Sequence, residues 1–384
     1  MARLKMGMVG GGLDALAGGL HRRAAALDGE IEFVAGALGS TPERAIAAAQ
    51  AWSLPRPYAS WREMLDGEQR LPAGERIDFV VVATPNHLHA QIASAFAKAG
   101  FHVVCDKPMT HTLQDAKQLA ATIEQTGVVF ALTHNYTGHP MVKQARHLVK
   151  GGELGEILKV VVEYNQGWLA DTLERQGHKG AAWRLDPQRS GRAGAIADIG
   201  THAENLLRYI TGLQIESLCA DLTQHHGRAL DDDGSVLLRL AGGARGVLTA
   251  SQVLQGEGNG LNIRVYGTRA SLEWHQERPE TLAVRSDDRP NQVYVKGGGG
   301  LCPAALRAAR LPAGHPEGFN EAFANLYRNF ADTIRARKAG RQPTDLESDF
   351  PNHRDGVRGM AFVEAVVDSN ASDAKWTSME RYLA

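Results

Sequence analysis

Two short runs in this sequence hold residues that could move a proton. Cys105-Asp106-Lys107-Pro108 closes an apolar segment with a lysine next to a carboxylate. Asp198-Ile199-Gly200-Thr201-His202 places a carboxylate and an imidazole at i, i+4 spacing at the entrance to a helical stretch, so both side chains share one face. Histidine is the commonest acid–base residue near neutral pH, and a carboxylate near it can orient the ring or hold a substrate hydroxyl. Gly200 lets another backbone come close, and Thr201 can cap. A lysine whose ammonium is desolvated beside a second cation becomes usable as an acid or base. Any one of these residues alone reads equally well as a solvated side chain. Jointly, Lys107, Asp198 and His202 read as a proton-transfer set.

A second feature says what such a set would serve. Met6-Gly7-Met8-Val9-Gly10-Gly11-Gly12-Leu13-Asp14-Ala15 puts glycines where a first strand turns into a helix, with Ala15 at the small third position of the pattern G-x-G-x-x-G/A. Glycine there lets the backbone approach a pyrophosphate and adopt positive φ, and the helix N-terminus offers amide donors. Gly10, Gly12 and Leu13 are therefore cofactor candidates, whereas Asp14 caps the helix or points away. The second strand ends in Ala37-Leu38-Gly39-Ser40-Thr41, without the acid that binds the adenosine ribose in NAD enzymes. With Ser40 and Arg44 near, NAD and NADP both stay open. Ser40 also has capping-box spacing to Glu43. Ala83-Thr84-Pro85-Asn86-His87-Leu88-His89 closes the next long strand at its carboxyl end, where open α/β sheets bind ligands. Thr84 and Asn86 can bond ribose or nicotinamide, Pro85 holds the turn, His89 lies beside it, and Asn135 after a later strand also borders the cofactor. His87 and His89 have no third ligand at suitable spacing, so no metal is expected. A proton-transfer set with a dinucleotide implies hydride exchange with an alcohol or carbonyl. Trp168 and Trp183 offer faces for stacking on a sugar or nicotinamide, and Arg192 could reach a polar or anionic substrate group.

These residues need elements to position them. A chain of 384 residues, 43% hydrophobic and 22% charged, suits a globular protein of two domains. Its formal net charge of -1 argues against nucleic-acid or polybasic membrane surfaces and favours a small metabolite. No apolar run approaches the roughly 20 residues that span a bilayer, and no signal-peptide core precedes the first strand, so a cytoplasmic protein is expected. Cys105, Cys219 and Cys302 read as reduced thiols. Short apolar strands alternate with amphipathic helices through residues 1–138, the pattern of a doubly wound, parallel α/β domain. Residues 139–384 turn to longer strands suited to an α+β domain on an open, largely antiparallel sheet. One helix, Thr201 to Thr211, interrupts it, and C-terminal helices near Phe319 to Arg337 and Gly356 to Asp368 are expected to return to brace the junction of the two domains. The glycine- and proline-rich stretch from Ser286 to Pro316 reads as a long loop. An open sheet would expose a broad face in a monomer, so a homodimer or homotetramer is expected.

Taken in order, the glycine turn, Ala83-Thr84-Pro85-Asn86, Asp106-Lys107-Pro108, Trp183-Arg184, Asp198-Ile199-Gly200-Thr201-His202 and Asp355-Gly356 leading into Glu364-Ala365 resemble the Gfo/Idh/MocA oxidoreductases over nearly the whole chain. The resemblance implies a Rossmann domain with NAD or NADP, and hydride transfer at a secondary hydroxyl or ketone of a sugar, sugar derivative or cyclitol. It implies catalytic and substrate-binding roles for Lys107, Asp198 and His202, with Trp168, Trp183 and Arg184 on the substrate side. The same fold also hosts NAD-assisted glycoside cleavage, and a non-catalytic sugar-responsive regulator is a third reading. One departure stands out: the family's glutamate before the lysine is Asp106, one methylene shorter.

Overall fold

In the computed structural model, which describes residues 3–13 and 15–383, the chain forms two compact units. Met1–Thr133 with Phe323–Val357 make the first, and His134–Ala322 with Arg358–Ala384 the second. Asp14, read above as a cap, lies outside the described residues.

The first unit is a six-stranded sheet of β1 (Leu4–Gly10), β2 (Ile31–Ala37), β3 (Arg56–Pro57), β4 (Phe79–Ala83), β5 (His102–Cys105) and β6 (Phe130–Leu132). Every pairing is parallel, in the order β3-β2-β1-β4-β5-β6. All five residues of β4 are buried, as expected of a central strand covered on both faces. The helices between strands are α1 (Leu16–Ala26), α2 (Pro42–Ala51), α3 (Trp61–Arg70), α4 (His89–Lys98) and α5 (Leu113–Thr126). Sequence periodicity left α3 out because only Met64 and Glu68 are buried on it. Buried Glu68 takes Arg56 at 2.7 Å, Tyr58 Oη at 3.0 Å and the Ile77 amide at 2.9 Å, so an ion pair fastens this helix where an apolar stripe would. From the C-terminal part of the chain, Tyr327, Phe330 and Phe350 join Phe79 in an aromatic core.

The second unit begins with α6 (Pro140–Lys150), β7 (Ile157–Asn165), the short helices α7 (Lys179–Arg184) and α8 (Pro187–Ser190), and α9 (Thr201–Thr211). There follow β8 (Ile215–Thr223), β9 (Asp233–Leu240), β10 (Arg245–Ser251), β11 (Gly260–Gly267), β12 (Ser271–His275), β13 (Thr281–Arg285), β14 (Gln292–Val295) and α10 (Pro303–Ala308). The chain ends with α11 (Phe319–Lys338), α12 (His353–Asn370), β15 (Thr377–Ser378) and α13 (Glu380–Leu383). The sheet order is β14-β13-β12-β11-β7-β10-β9-β8-β15, antiparallel except for β7 with β10. Helices α6 and α9 cover one face.

The stretch 286–316 is not one long loop. It holds the edge strand β14 and α10, and between them lies Lys296, 1% exposed. Its ammonium donates to the carbonyls of Leu311, Pro312 and His315 and to Glu317 Oε1, replacing water with a closed set of oxygens.

Candidate active site

The first unit offers a cradle at the point where the sheet order reverses, between β1 and β4. Gly10 and Gly11 have φ of +80° and +65°, open to glycine and strained for other residues. A Cβ on Gly10 would lie 2.4 Å from the Ala83 carbonyl oxygen, and one on Gly12 would lie 2.1 Å from that of Leu38. The close helix–strand approach is made by Gly18 and not by Ala15. A Cβ on Gly18 would fall 1.6 Å from the Gly11 oxygen, whereas Ala15 is exposed. Leu13 is 58% exposed. The first turn of α1 carries no acidic residue, which suits an anion. Thr84 Oγ1 is buried without a hydrogen-bond partner, and in the second unit Asn135 Nδ2 is too. Side chains of this kind are ready to be met by a polar ligand. The cradle and the orphaned hydroxyl fit a dinucleotide.

The capping box expected of Ser40 and Glu43 is not formed. Thr41 caps α2 by accepting from the Arg44 amide at 3.4 Å, because Pro42 fixes the first turn one residue later. Ser40 is left exposed just beyond β2, with Arg44 exposed on α2. Asn86 is buried in the turn after β4. His89 has both ring nitrogens against carbonyl oxygens, Nε2 to Thr84 at 2.8 Å and Nδ1 to Pro108 at 3.0 Å. The neutral ring has one N–H, so one of the two carbonyls takes a hydrogen bond and the other is a close contact, and the ring sits between the turn after β4 and the run that carries Lys107. Burial pushes its pKa down against the pull of Asp106 and the two carbonyls.

Lys107 follows β5 and is partly buried. Asp106 beside it accepts from Thr133 Oγ1 at 2.5 Å and lies 3.5 Å from His21 Nε2. His21 is wholly buried, and its Nδ1 meets Tyr327 Oη at 2.6 Å. Burial opposes ionisation of Asp106, but His21, Thr133 and Lys107 together hold its carboxyl well below the usual carboxylate range. The shortened acid thus reaches a buried His21–Tyr327 pair, which no motif had marked. Cys105 is buried, and burial followed by the charge of Asp106 raises its thiol pKa, so it packs as a small apolar residue.

In the second unit Asp198 sits in a single π-helical turn, Ile196–Gly200, that leads directly into α9 and His202. Such turns recur at functional sites. Asp231 anchors this turn, accepting from the amides of Gly194 at 2.6 Å and Ile196 at 2.8 Å. A Cβ on Gly194 would lie 2.1 Å from the Asp231 carbonyl oxygen, which is why the lead-in is glycine.

Around these two residues runs a polar network that sequence reading mostly missed, because its members lie on β7 and in loops beside β7, β10 and β11, far apart in the chain. Asp198 Oδ2 accepts from Gln252 Nε2 at 2.8 Å and lies 3.4 Å from Arg184 Nε. Gln252 also reaches Gln166 Oε1 at 3.3 Å, and Trp168 Nε1 donates to the same oxygen at 3.0 Å. Gln166 Nε2 and Tyr164 Oη both donate to Asn259 Oδ1, at 2.8 and 2.7 Å. Asn259 Nδ2 reaches Tyr136 Oη at 3.1 Å, and the two phenolic oxygens are 2.5 Å apart. Burial raises the pKa of both tyrosines, so both remain donors near neutral pH. With the Tyr164 proton committed to Asn259, Tyr136 must donate to Tyr164, and the ring of bonds closes. His202 packs its edge on Tyr136 at 4.9 Å and meets His134 Nδ1 to Nδ1 at 3.2 Å. Trp183 faces the guanidinium of Arg184 at 4.4 Å. Arg192 is directed to α12, where it pairs with Glu364 and, at 2.9 Å, with Asp368.

A glycine-walled Rossmann unit joined to a mostly antiparallel nine-stranded sheet defines a two-unit, dinucleotide-binding oxidoreductase. Residues 4–134 match the oxidoreductase family with an NAD-binding Rossmann fold, and residues 142–273 match the GFO/IDH/MocA C-terminal domain. The chain belongs to the GFO/IDH/MocA oxidoreductases. It is 30% identical to the uncharacterized oxidoreductase YfiI of Bacillus subtilis over 98% of this chain and 97% of that one. Levoglucosan dehydrogenase of Pseudarthrobacter phenanthrenivorans is 29% identical over 74% of this chain and 76% of its own. Among solved structures, an inositol dehydrogenase homologue from Azotobacter vinelandii with NAD+ matches at TM-score 0.93 and 36% identity, covering 98% of this chain and 97% of that one. That homologue is also known with NADH and myo-inositol. Among the described residues, no helix is long and apolar enough to cross a membrane.

Proposed function

We propose that this protein is an NAD(P)-dependent dehydrogenase acting on a secondary hydroxyl of a sugar, sugar derivative or cyclitol. The observation that carries the reading is the set of amide, phenol and carboxylate groups around Asp198 and His202. An uncharged ligand bearing several hydroxyls matches such a surface, because each hydroxyl both donates and accepts. The similarity to proteins known with myo-inositol and to levoglucosan dehydrogenase supports the same class.

Gly10, Gly12 and Leu13 line the pyrophosphate turn, Ser40 and Arg44 meet the adenosine ribose, and Thr84, Pro85, Asn86 and Asn135 border the ribose and nicotinamide. When bound, the dinucleotide supplies the hydride acceptor. Asp198 holds a substrate hydroxyl, and His202 or Lys107 takes the proton of the hydroxyl being oxidised. Trp168, Trp183 and Arg184 shape the substrate side. His89 and Asp106 act by fixing the Lys107 run.

The test is a panel of sugars and cyclitols assayed with both NAD and NADP. Formation of reduced nicotinamide with at least one of them is expected. Release of an aglycone without net reduced cofactor would replace this reading with glycoside cleavage, and binding without turnover would leave a regulator.

We also propose that the outer face of the nine-stranded sheet pairs with a copy of itself. One cross-strand row on it runs Leu237, Val247, Val161 and Arg264. Leu237 is 49% exposed on this side. Covering such a face is a common reason for homo-oligomers. A 41.4 kDa species by light scattering would reject the proposal.

A further inference from the structure

Between β7 and the π turn the chain makes an excursion through residues 166–195, and side chains from both of its halves lead to Asp198. Trp168 reaches it through Gln166 and Gln252, and Arg184 lies against it directly. Leu169 and Ala181 are wholly buried, yet none of residues 170–180 between them is. A surface segment without a hydrophobic anchor opens easily unless polar bonds hold it.

The holding group is Arg228, whose side chain is 2% exposed. Its Nε and Nη2 donate to the two oxygens of Glu174 at 3.2 and 3.3 Å, and Nη2 also donates to the Asp171 carbonyl at 2.9 Å. On the other side Nη1 donates at 2.9 Å to Asp232, whose side chain is wholly buried. Two further bonds join the same segments: Arg175 donates to the His226 carbonyl at 2.6 Å, and His226 Nε2 donates to that of Ala170 at 3.1 Å. His226 makes them from φ +59°, a left-handed conformation that a residue with a Cβ rarely adopts. A guanidinium that meets a carboxylate with paired bonds fixes direction as well as distance. Asp232 is itself held by the His225 amide at 3.1 Å and His225 Nδ1 at 2.7 Å, and its carbonyl accepts from the Gln252 amide at 2.8 Å. One residue therefore ties Arg228 to the residue whose side chain holds Asp198.

We propose that Arg228 is a positioning residue for substrate, clamping residues 171–174 so that Trp183 and Arg184 are held beside Asp198. This rests on the reading of Trp168, Trp183 and Arg184 as the substrate side. Arg228 acts through the backbone of the segment. Fixed in advance, the segment adds no ordering cost to binding; released, it must be ordered by each substrate molecule. The effect falls on substrate affinity more than on hydride transfer, so KM carries it.

The experiment compares wild type, Glu174→Gln and Arg228→Met in the full chain. Glu174→Gln removes the charge of the fork and spares the buried Arg228–Asp232 pair, whereas Arg228→Met takes from buried Asp232 its arginine and costs stability. Hydrogen–deuterium exchange of the amides of residues 170–184 is expected to quicken about 10-fold or more in Glu174→Gln, as loss of a charge-assisted pair of bonds implies, with the rest of the second unit unchanged. With whichever polyol wild type oxidises, KM is expected to rise about 10-fold, with kcat within about 3-fold and the cofactor dissociation constant within about 2-fold. Arg228→Met and the double variant Arg228→Met/Glu174→Gln should share one KM, because both changes act through the same fork. Exchange or KM unmoved in Glu174→Gln, or a loss in kcat as large as the rise in KM, would overturn the proposal. Should wild type oxidise no polyol, the dehydrogenase reading fails on that ground alone, and exchange decides the clamp: a segment equally labile in wild type and Glu174→Gln overturns it, and one that opens only in the variant supports it.

Discussion

Lys107 owes its surroundings to the residue before it. Asp106 reaches back to His21 and Thr133, and His21 leans on Tyr327, so a buried chain of polar groups fixes the backbone from which Lys107 projects. His21 Nδ1 meets Tyr327 Oη at 2.6 Å, and its Nε2 lies 3.5 Å from the carboxylate without a hydrogen bond to it. Replacing His21 with Leu is expected to lower kcat about 10-fold while the dissociation constant for cofactor changes little, read by steady-state kinetics and by fluorescence titration. An equal loss in cofactor affinity would mean that His21 serves the cradle and not Lys107. Lys107→Ala and His202→Ala should each lower kcat by about 10² or more with cofactor binding retained. Unchanged turnover in both would remove them from the mechanism.

At the scale of elements, the decisive device is the π turn before α9. It carries Asp198 directly into the helix that bears His202. Asp231 holds the turn by taking two buried amides. Asp231→Ala leaves both donors without acceptors, at a cost of about 2–4 kcal/mol. The denaturation midpoint should drop accordingly, and kcat should fall more than the loss of folded protein explains. A stability loss with turnover per folded molecule intact would separate the anchor from the chemistry.

For the whole molecule, the titration of buried groups predicts how stability follows pH. Burial pushes His102 down to about 4, with Lys338 and Arg337 adding to it, and burial alone pushes His139 down to about 3. Their unfolded counterparts ionise near pH 6.5. As pH falls below about 6.5 the unfolded chain therefore binds protons first, and stability is lost. His89 acts in the same direction. Asp231 acts oppositely, because burial raises its pKa to about 6 and the folded protein then holds that proton more tightly than the unfolded chain. Three histidines outweigh one carboxyl, so Tm should decline from about pH 7 to pH 4.5 in scanning calorimetry. A Tm that rises over that interval would contradict the assignment of these rings as buried and neutral.

Much of this was written in the sequence. Strand His102–Cys105 and helix Thr201–Thr211 have the bounds that periodicity and flanking residues imply, and the glycine turn, the lysine run and the Asp198–His202 pair stood out because local chemistry needs those residue types at short spacing. Where a feature depended on a distant partner, the sequence was silent or misleading. Helix α3 is fastened by Glu68 to Arg56, the stretch 286–316 is ordered around Lys296, and Gly18 takes the close approach assigned to Ala15. His21, His134, Tyr164, Gln166, Gln252 and Asn259 carry no motif. The sequence by itself determined the elements that carry a clear hydrophobic period and which residues could transfer a proton, because both follow from side-chain type and near spacing. Only the tertiary structure decided which buried polar groups face those residues, because hydrogen-bond partners brought together by sheet pairing and helix packing leave no periodic trace in the chain.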